Sequence, residues 1–223
     1  GLRRRAHRGH ELLRGEEGDR RDRAVVRRDP RGVVGRELPE PAQREPYPWR
    51  AVGSGELRFL GMRIYDASLW SPTGRFDGLE ARQPLALSLW YGREFSRDQL
   101  LSITHTAWRK LGETSPQQQQ RWLAELRGMW RDVGPGHNLT AVVEPAGETR
   151  FYDETRLLGR IDDPAFGPAF LAIWLHPRSV VGDLRVELLG KFQPQRVKLL
   201  LDEQAELARH LAAHLGVAAQ IIE

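Results

Sequence analysis

The stretch Gly53-Ser54-Gly55-Glu56-Leu57-Arg58-Phe59-Leu60-Gly61-Met62-Arg63-Ile64-Tyr65-Asp66-Ala67-Ser68-Leu69-Trp70 is long, apolar on both alternating faces, and carries an arginine among its apolar residues. With a period of two it reads as one long β-strand. Arg58, Leu60, Met62 and Ile64 then share one face, and Leu57, Phe59, Gly61, Arg63 and Tyr65 the other. Arg58 is thereby expected to point where its neighbours are buried. A guanidinium keeps its proton, so in that position it needs an anionic or carbonyl partner from the protein or from a ligand.

Downstream, Ser71-Pro72-Thr73-Gly74 reads as a turn, and Leu85, Leu87, Leu89 and Tyr91 place a second apolar strand over 84–92. Ser96 is an N-cap candidate for a helix over 97–111, with Leu100, Leu101, Thr104, Trp108 and Leu111 at helical spacing. Ser115-Pro116-Gln117-Gln118 is a capping box with proline at the first helical position. The helix it opens buries Trp122, Leu123, Leu126, Met129 and Trp130. Gly134-Pro135-Gly136 ends that helix. Leu139–Val143 and Thr149–Tyr152 then form two strands joined by Pro145-Ala146-Gly147-Glu148. Asp163-Pro164 opens a helix with Phe166, Phe170 and Trp174 facing inward, Pro177 stops it, and 182–189 gives a further short helix. Strands grouped with clustered helices argue an α+β architecture.

The flanks differ from this middle. Residues 1–45 hold 13 of the 34 basic and 9 of the 30 acidic residues, so they supply the whole net charge of +4. The region 1–46 lacks apolar periodicity and ends in a Pro-rich run, so it reads as a disordered Arg-rich arm and linker. Residues 47–191 form the domain proper. In 192–223, Val197, Leu200, Leu201, Leu207, Leu211 and Leu215 predict a C-terminal amphipathic helical extension.

Several function classes lose support on composition. Cysteine is absent, which excludes a disulfide framework, a thiolate zinc site or a cysteine nucleophile. No apolar run is long enough for a transmembrane segment, and the arginines at the start are not followed by the apolar segment of a secretory signal. His105, His137 and His176 have no metal-ligand spacing, while His210 and His214 share a helix face without a third ligand. Asn138-Leu139-Thr140 matches a glycosylation acceptor but starts a strand. No cofactor or metal is expected. The interspersed acids in the arm argue against nucleic acid as a partner.

Gly-x-Gly followed closely by arginine, then Ile64-Tyr65-Asp66-Ala67-x-Leu69-Trp70, resembles the opening strands of the chalcone isomerase-like family, in particular its bacterial branch. The resemblance continues in order through Leu85–Tyr91, Thr106-Ala107-Trp108, Ile173-Trp174-Leu175 and Leu188-Leu189-Gly190, covering roughly residues 47–190. It implies an open-faced β-sandwich, a large antiparallel sheet covered by helices. Through the exported bacterial members it also implies a periplasmic home. In the chalcone isomerases an arginine, a threonine, a tyrosine and an asparagine surround the cyclising substrate. Arg58 lies near the arginine position, one residue later after the glycines. Leu60 falls at the threonine, Phe95 at the tyrosine and Ser102 at the asparagine.

Leucine and phenylalanine donate no hydrogen bond, so the resemblance implies a site stripped of its catalytic network. The expected function is non-catalytic binding of a small apolar or carboxylate ligand, fatty-acid-like or phenolic, in a pocket anchored by Arg58 and lined by Leu60, Tyr65, Tyr91, Phe95 and Ser102. Three alternatives stand beside it: an active chalcone-type intramolecular lyase, a nucleic-acid-associated protein acting through the basic arm, and Arg58 as a structural ion-pair partner of Glu56 or Asp66. Oligomeric state is left open.

Overall fold

The computed structural model describes residues 36–190 in full and, before them, the backbone of two short paired strands, β1 (Arg27–Arg28) and β2 (Val34–Gly35). The C-terminal amphipathic helix, with His210 and His214, lies outside the described residues, as does most of the arm.

The deciding stretch folds back on itself. β3 (Arg50–Phe59) and β4 (Met62–Ser71) pair antiparallel with Phe59 opposite Met62, so Leu60 and Gly61 form a two-residue turn. Both turn residues have positive φ, 48° and 76°, the backbone a tight right-twisted hairpin requires. This corrects the single long strand. Leucine occupies the place where asparagine, aspartate or glycine ordinarily announces such a turn, so the apolar pattern runs through it unbroken. A register shift between Leu57 and Arg58 disturbs the alternation further.

The hairpin opens a six-stranded antiparallel meander, completed by β5 (Leu85–Tyr91), β6 (Asn138–Val143), β7 (Thr149–Tyr152) and β8 (Leu157–Ile161). Sequence reading missed β8, whose Leu-Leu-Gly-Arg-Ile lacks clear alternation. The Asp153 carboxylate, accepting from the Thr155 and Arg156 N–H groups at 2.7 and 2.8 Å, builds the turn into it.

Four helices cover one face: α2 (Arg97–Leu111), α3 (Pro116–Met129), α4 (Phe166–Leu175) and α5 (Gly182–Leu188). Ser96 and Ser115 cap α2 and α3 as the sequence predicts, each in a reciprocal capping box, the one with Gln118 expected and the one with Gln99 not. Asp163 acts one turn ahead of α4. Its carboxylate accepts from the Ala165 N–H at 3.0 Å and from the Trp122 indole at 2.9 Å, and it pairs with Arg121. Between helices and sheet lies an aromatic core in which Trp108, Trp122, Trp130, Phe151, Phe166, Phe170 and Trp174 meet mainly edge to face, with Phe166 stacked on Phe170.

The opposite face of the sheet is covered by the segment expected to be linker. From Arg36 onward it is structured, with α1 (Glu40–Gln43) burying Leu38 and Ala42 against Ala86, Val142, Tyr152, Trp49 and Trp70. Arg36 stacks over the Trp90 ring at 5.1 Å and pairs with Asp66 at 3.3 Å. The prolines suggest a linker only because the apolar surface that receives the segment is supplied by strands far along the chain. On this face Asn138 is 2% exposed and donates to Ser88 Oγ and the Leu89 carbonyl, which removes it as a glycosylation acceptor.

Candidate functional site

Gly53 and Gly55 let α5 pack closely on β3. A Cβ at Gly53 would lie 2.2 Å from the Glu187 carbonyl oxygen and 2.6 Å from that of Leu188, so the glycine lets the end of α5 rest on β3. At the far end of the same contact Gly190, at φ 66°, turns the chain against the Val52 carbonyl. The Gly-x-Gly and Leu-Leu-Gly motifs, distant in sequence, are two halves of one packing contact.

Beside it, between the sheet and α2, α4 and the segment before α5, lies a cavity of about 70 Å³. One water-sized sphere needs roughly 10–15 Å³ on this scale, so there is room for a short run of carbon atoms. Its sheet wall is Leu57, Ile64, Tyr65, Leu89, Tyr91 and Leu139. The α2 wall is Leu100, Ile103, Thr104 and Ala107, at the spacing of one helical stripe. Phe95, Trp130, Phe170, Ile173, Trp174, Val180 and Val181 complete it. Leu57, Ile103 and Val180 are only half-buried, which places the shallowest part of the wall where β3, α2 and the segment before α5 meet.

No charged side chain lines the cavity, and its few polar groups are placed as follows. Thr104 satisfies itself by donating to the Leu100 carbonyl at 2.9 Å. Tyr65 Oη accepts from the Trp174 indole at 2.9 Å. The Tyr91 hydroxyl makes no hydrogen bond among the described residues, and the buried Trp130 indole N–H has no acceptor. Burial pushes both phenols up, Tyr91 with a further push from its neighbour Tyr65, while for Tyr65 the bond from Trp174 only partly offsets it. Both stay neutral at physiological pH, so neither is poised as a general base.

Of the residues expected in the site, Tyr65, Tyr91 and Phe95 line the cavity together. Arg58 does not: its exposed side chain pairs with Glu56 and donates to the Gly61 carbonyl at 2.9 Å. Leu60 is 69% exposed at the hairpin apex. Ser102 sits half-buried off the cavity stripe of α2. The expectation of an arginine anchor is therefore corrected, and the physical reason is the turn at Leu60-Gly61, which carries Arg58 outward. Leu100, Thr104, Trp130, Phe170 and Trp174 are legible only as core stripes, Ala107 and Ile173 only within motifs of the family resemblance, and Ile103 in neither way. A cavity wall and a packed core show the same periodicity, and what distinguishes them is the shape of the space between elements. Among the described residues no group of three or more histidines, aspartates or glutamates could hold a metal, and no helix is long and apolar enough to cross a membrane.

The profile described as chalcone isomerase-like matches residues 34–190. No curated protein sequence matches the chain. Among solved structures, the crystal structure of a fatty-acid binding protein from Arabidopsis thaliana superposes with a TM-score of 0.50 at 11% identity, over 63% of this chain and 86% of that one. At that identity the likeness bears on the fold, an antiparallel sheet under a layer of helices. Since the profile spans most of the chain, including the Gly-x-Gly and Leu-Leu-Gly motifs that meet where α5 packs on β3, the chain belongs to the chalcone isomerase-like family.

Proposed function

We propose that this protein binds a small, predominantly apolar ligand and catalyses no reaction on it. The observation that carries this is the cavity walled by aromatic and aliphatic side chains, with no charged group and with both tyrosines held neutral. An ionised carboxylate has no cation to meet inside, and its burial there would cost far more than the apolar contacts return. The ligand is thus a neutral apolar molecule, or the tail of an amphiphile whose head stays at the half-buried rim of Leu57, Ile103 and Val180. The Tyr91 hydroxyl and the Trp130 indole N–H are each a hydrogen-bond donor without a partner among the described residues of the wall. That the structural neighbour is a fatty-acid binding protein accords with an aliphatic ligand. The exported bacterial members that the sequence resembles make the periplasm the proposed compartment, which fractionation of the source cells tests.

Titration with an environment-sensitive alkyl fluorophore tests the binding. Wild type is expected to saturate at one probe per chain. Ala107→Leu, which fills the cavity from its α2 wall, is expected to weaken binding by about tenfold or more, equivalent to roughly 1.4 kcal/mol, without unfolding the protein. Undiminished binding by a folded Ala107→Leu variant would contradict the proposal. So would ring closure of a chalcone substrate well above background.

A further inference from the structure

The hairpin β3–β4 is layered along its length. Leu60 stands at the apex, 69% exposed and at φ 48°, a backbone conformation that leucine adopts at a cost. The first rung behind it pairs Phe59 with Met62, both only half-buried. The second rung pairs Arg58 with Arg63, two like charges directly opposite one another, an arrangement that disfavours the hairpin by itself. Arg93 adds a third guanidinium beside the tip, donating to the Met62 sulfur at 2.6 Å and pairing with no carboxylate among the described residues. Glu56 and Asp66, the partners of Arg58 and Arg63, stand further from the apex. Behind the arginines, Leu57 and Tyr65 form the rung that walls the cavity.

Two features of this tip are unfavourable to the folded protein in water: a strained, exposed leucine and an opposed arginine pair. Both become favourable against one kind of partner. An anionic lipid surface takes the apolar apex into its headgroup and acyl boundary and places phosphate or carboxylate groups at the depth of the arginines. We infer that the β3–β4 hairpin tip docks the protein on anionic membranes through Leu60, Phe59 and Met62, with Arg58, Arg63 and Arg93 gripping the headgroups. The cavity lies one rung behind, so docking brings its wall to the membrane surface. An apolar ligand then has a short path out of the bilayer. The docking itself goes beyond the cavity-binding proposal and does not depend on the cavity being occupied.

Co-sedimentation of the full chain with phosphatidylcholine vesicles, with and without phosphatidylglycerol, tests it in the absence of any ligand. Wild type is expected to bind the anionic vesicles preferentially and to be released by salt. Leu60→Asn keeps a residue suited to the turn while removing the apolar apex, and is expected to weaken binding by about tenfold. Arg58→Gln is expected to weaken it by about fivefold, and only on anionic vesicles. Absence of wild-type binding at low salt overturns the inference. So does binding that both variants leave unchanged, which would place the contact elsewhere, for instance in the arginine-rich arm. The alkyl fluorophore titration, run on Leu60→Asn without vesicles, reads the cavity separately, and retained probe binding there separates loss of docking from loss of ligand binding.

Discussion

Leu60 shows how one side chain can conceal a fold. With Leu-Gly in place of Asn-Gly, the apolar pattern from Leu57 to Ile64 continues through the turn, and the expected facing of every residue around it is lost. Arg58 then looks buried in sequence while standing exposed in the folded chain. Replacing Leu60 with Asn should stabilise the protein by about 1 kcal/mol, since asparagine enters the left-handed region at lower cost. A higher urea midpoint with unchanged slope is the expected outcome, and a lower midpoint would mean that the leucine makes a contact worth more than its strain. By contrast, the N-cap at Ser96 and the capping box at Ser115 are legible to the residue, because their chemistry lies within four consecutive positions.

At the scale of elements, helices were read closely and the relations between elements hardly at all. The segment from Arg36 to Trp49 is held on the sheet by residues about a hundred positions away. Arg150 donates to Glu45 at 2.7 Å and also contacts Glu148 and Glu144, while Tyr152 donates to Glu45 and Tyr47 to Glu144. The Glu45 side chain is only 7% exposed, so removing its cation leaves a buried charge uncompensated. Arg150→Ala should therefore cost about 3 kcal/mol. It should also open the 36–49 segment to proteolysis. Equal stability and an unchanged digestion pattern would show that the apolar contacts of Leu38 and Ala42 suffice alone. No local pattern in 36–46 announces this docking, just as none announces that α2 and α4, which meet where the Trp108 indole donates to the Ala169 carbonyl, also bound a cavity.

Across the whole molecule the four tyrosines behave alike, because each is drawn into the packing of one face of the sheet or the other. Burial raises Tyr65 and Tyr91 in the cavity wall. Burial followed by hydrogen bonds to carboxylates raises Tyr47, to about 12, and Tyr152 on the opposite face. A raised folded-state value means that stability is fully present below the ordinary tyrosine range near 10 and is lost as pH climbs above it, while the unfolded chain ionises first. The denaturant midpoint should fall steeply above pH ~10, and phenolate absorbance of the folded protein should stay low until it unfolds. Phenolate appearing near the ordinary value in folded protein would show that the walls are open to water. The cavity between these walls carries the functional proposal, and diffraction from crystals soaked with a bromine-tagged aliphatic alcohol tests it most directly. The expected result is an anomalous peak enclosed by Tyr91, Phe95, Ala107 and Trp174; a cavity without bromine, or bromine bound only outside it, would contradict the proposal.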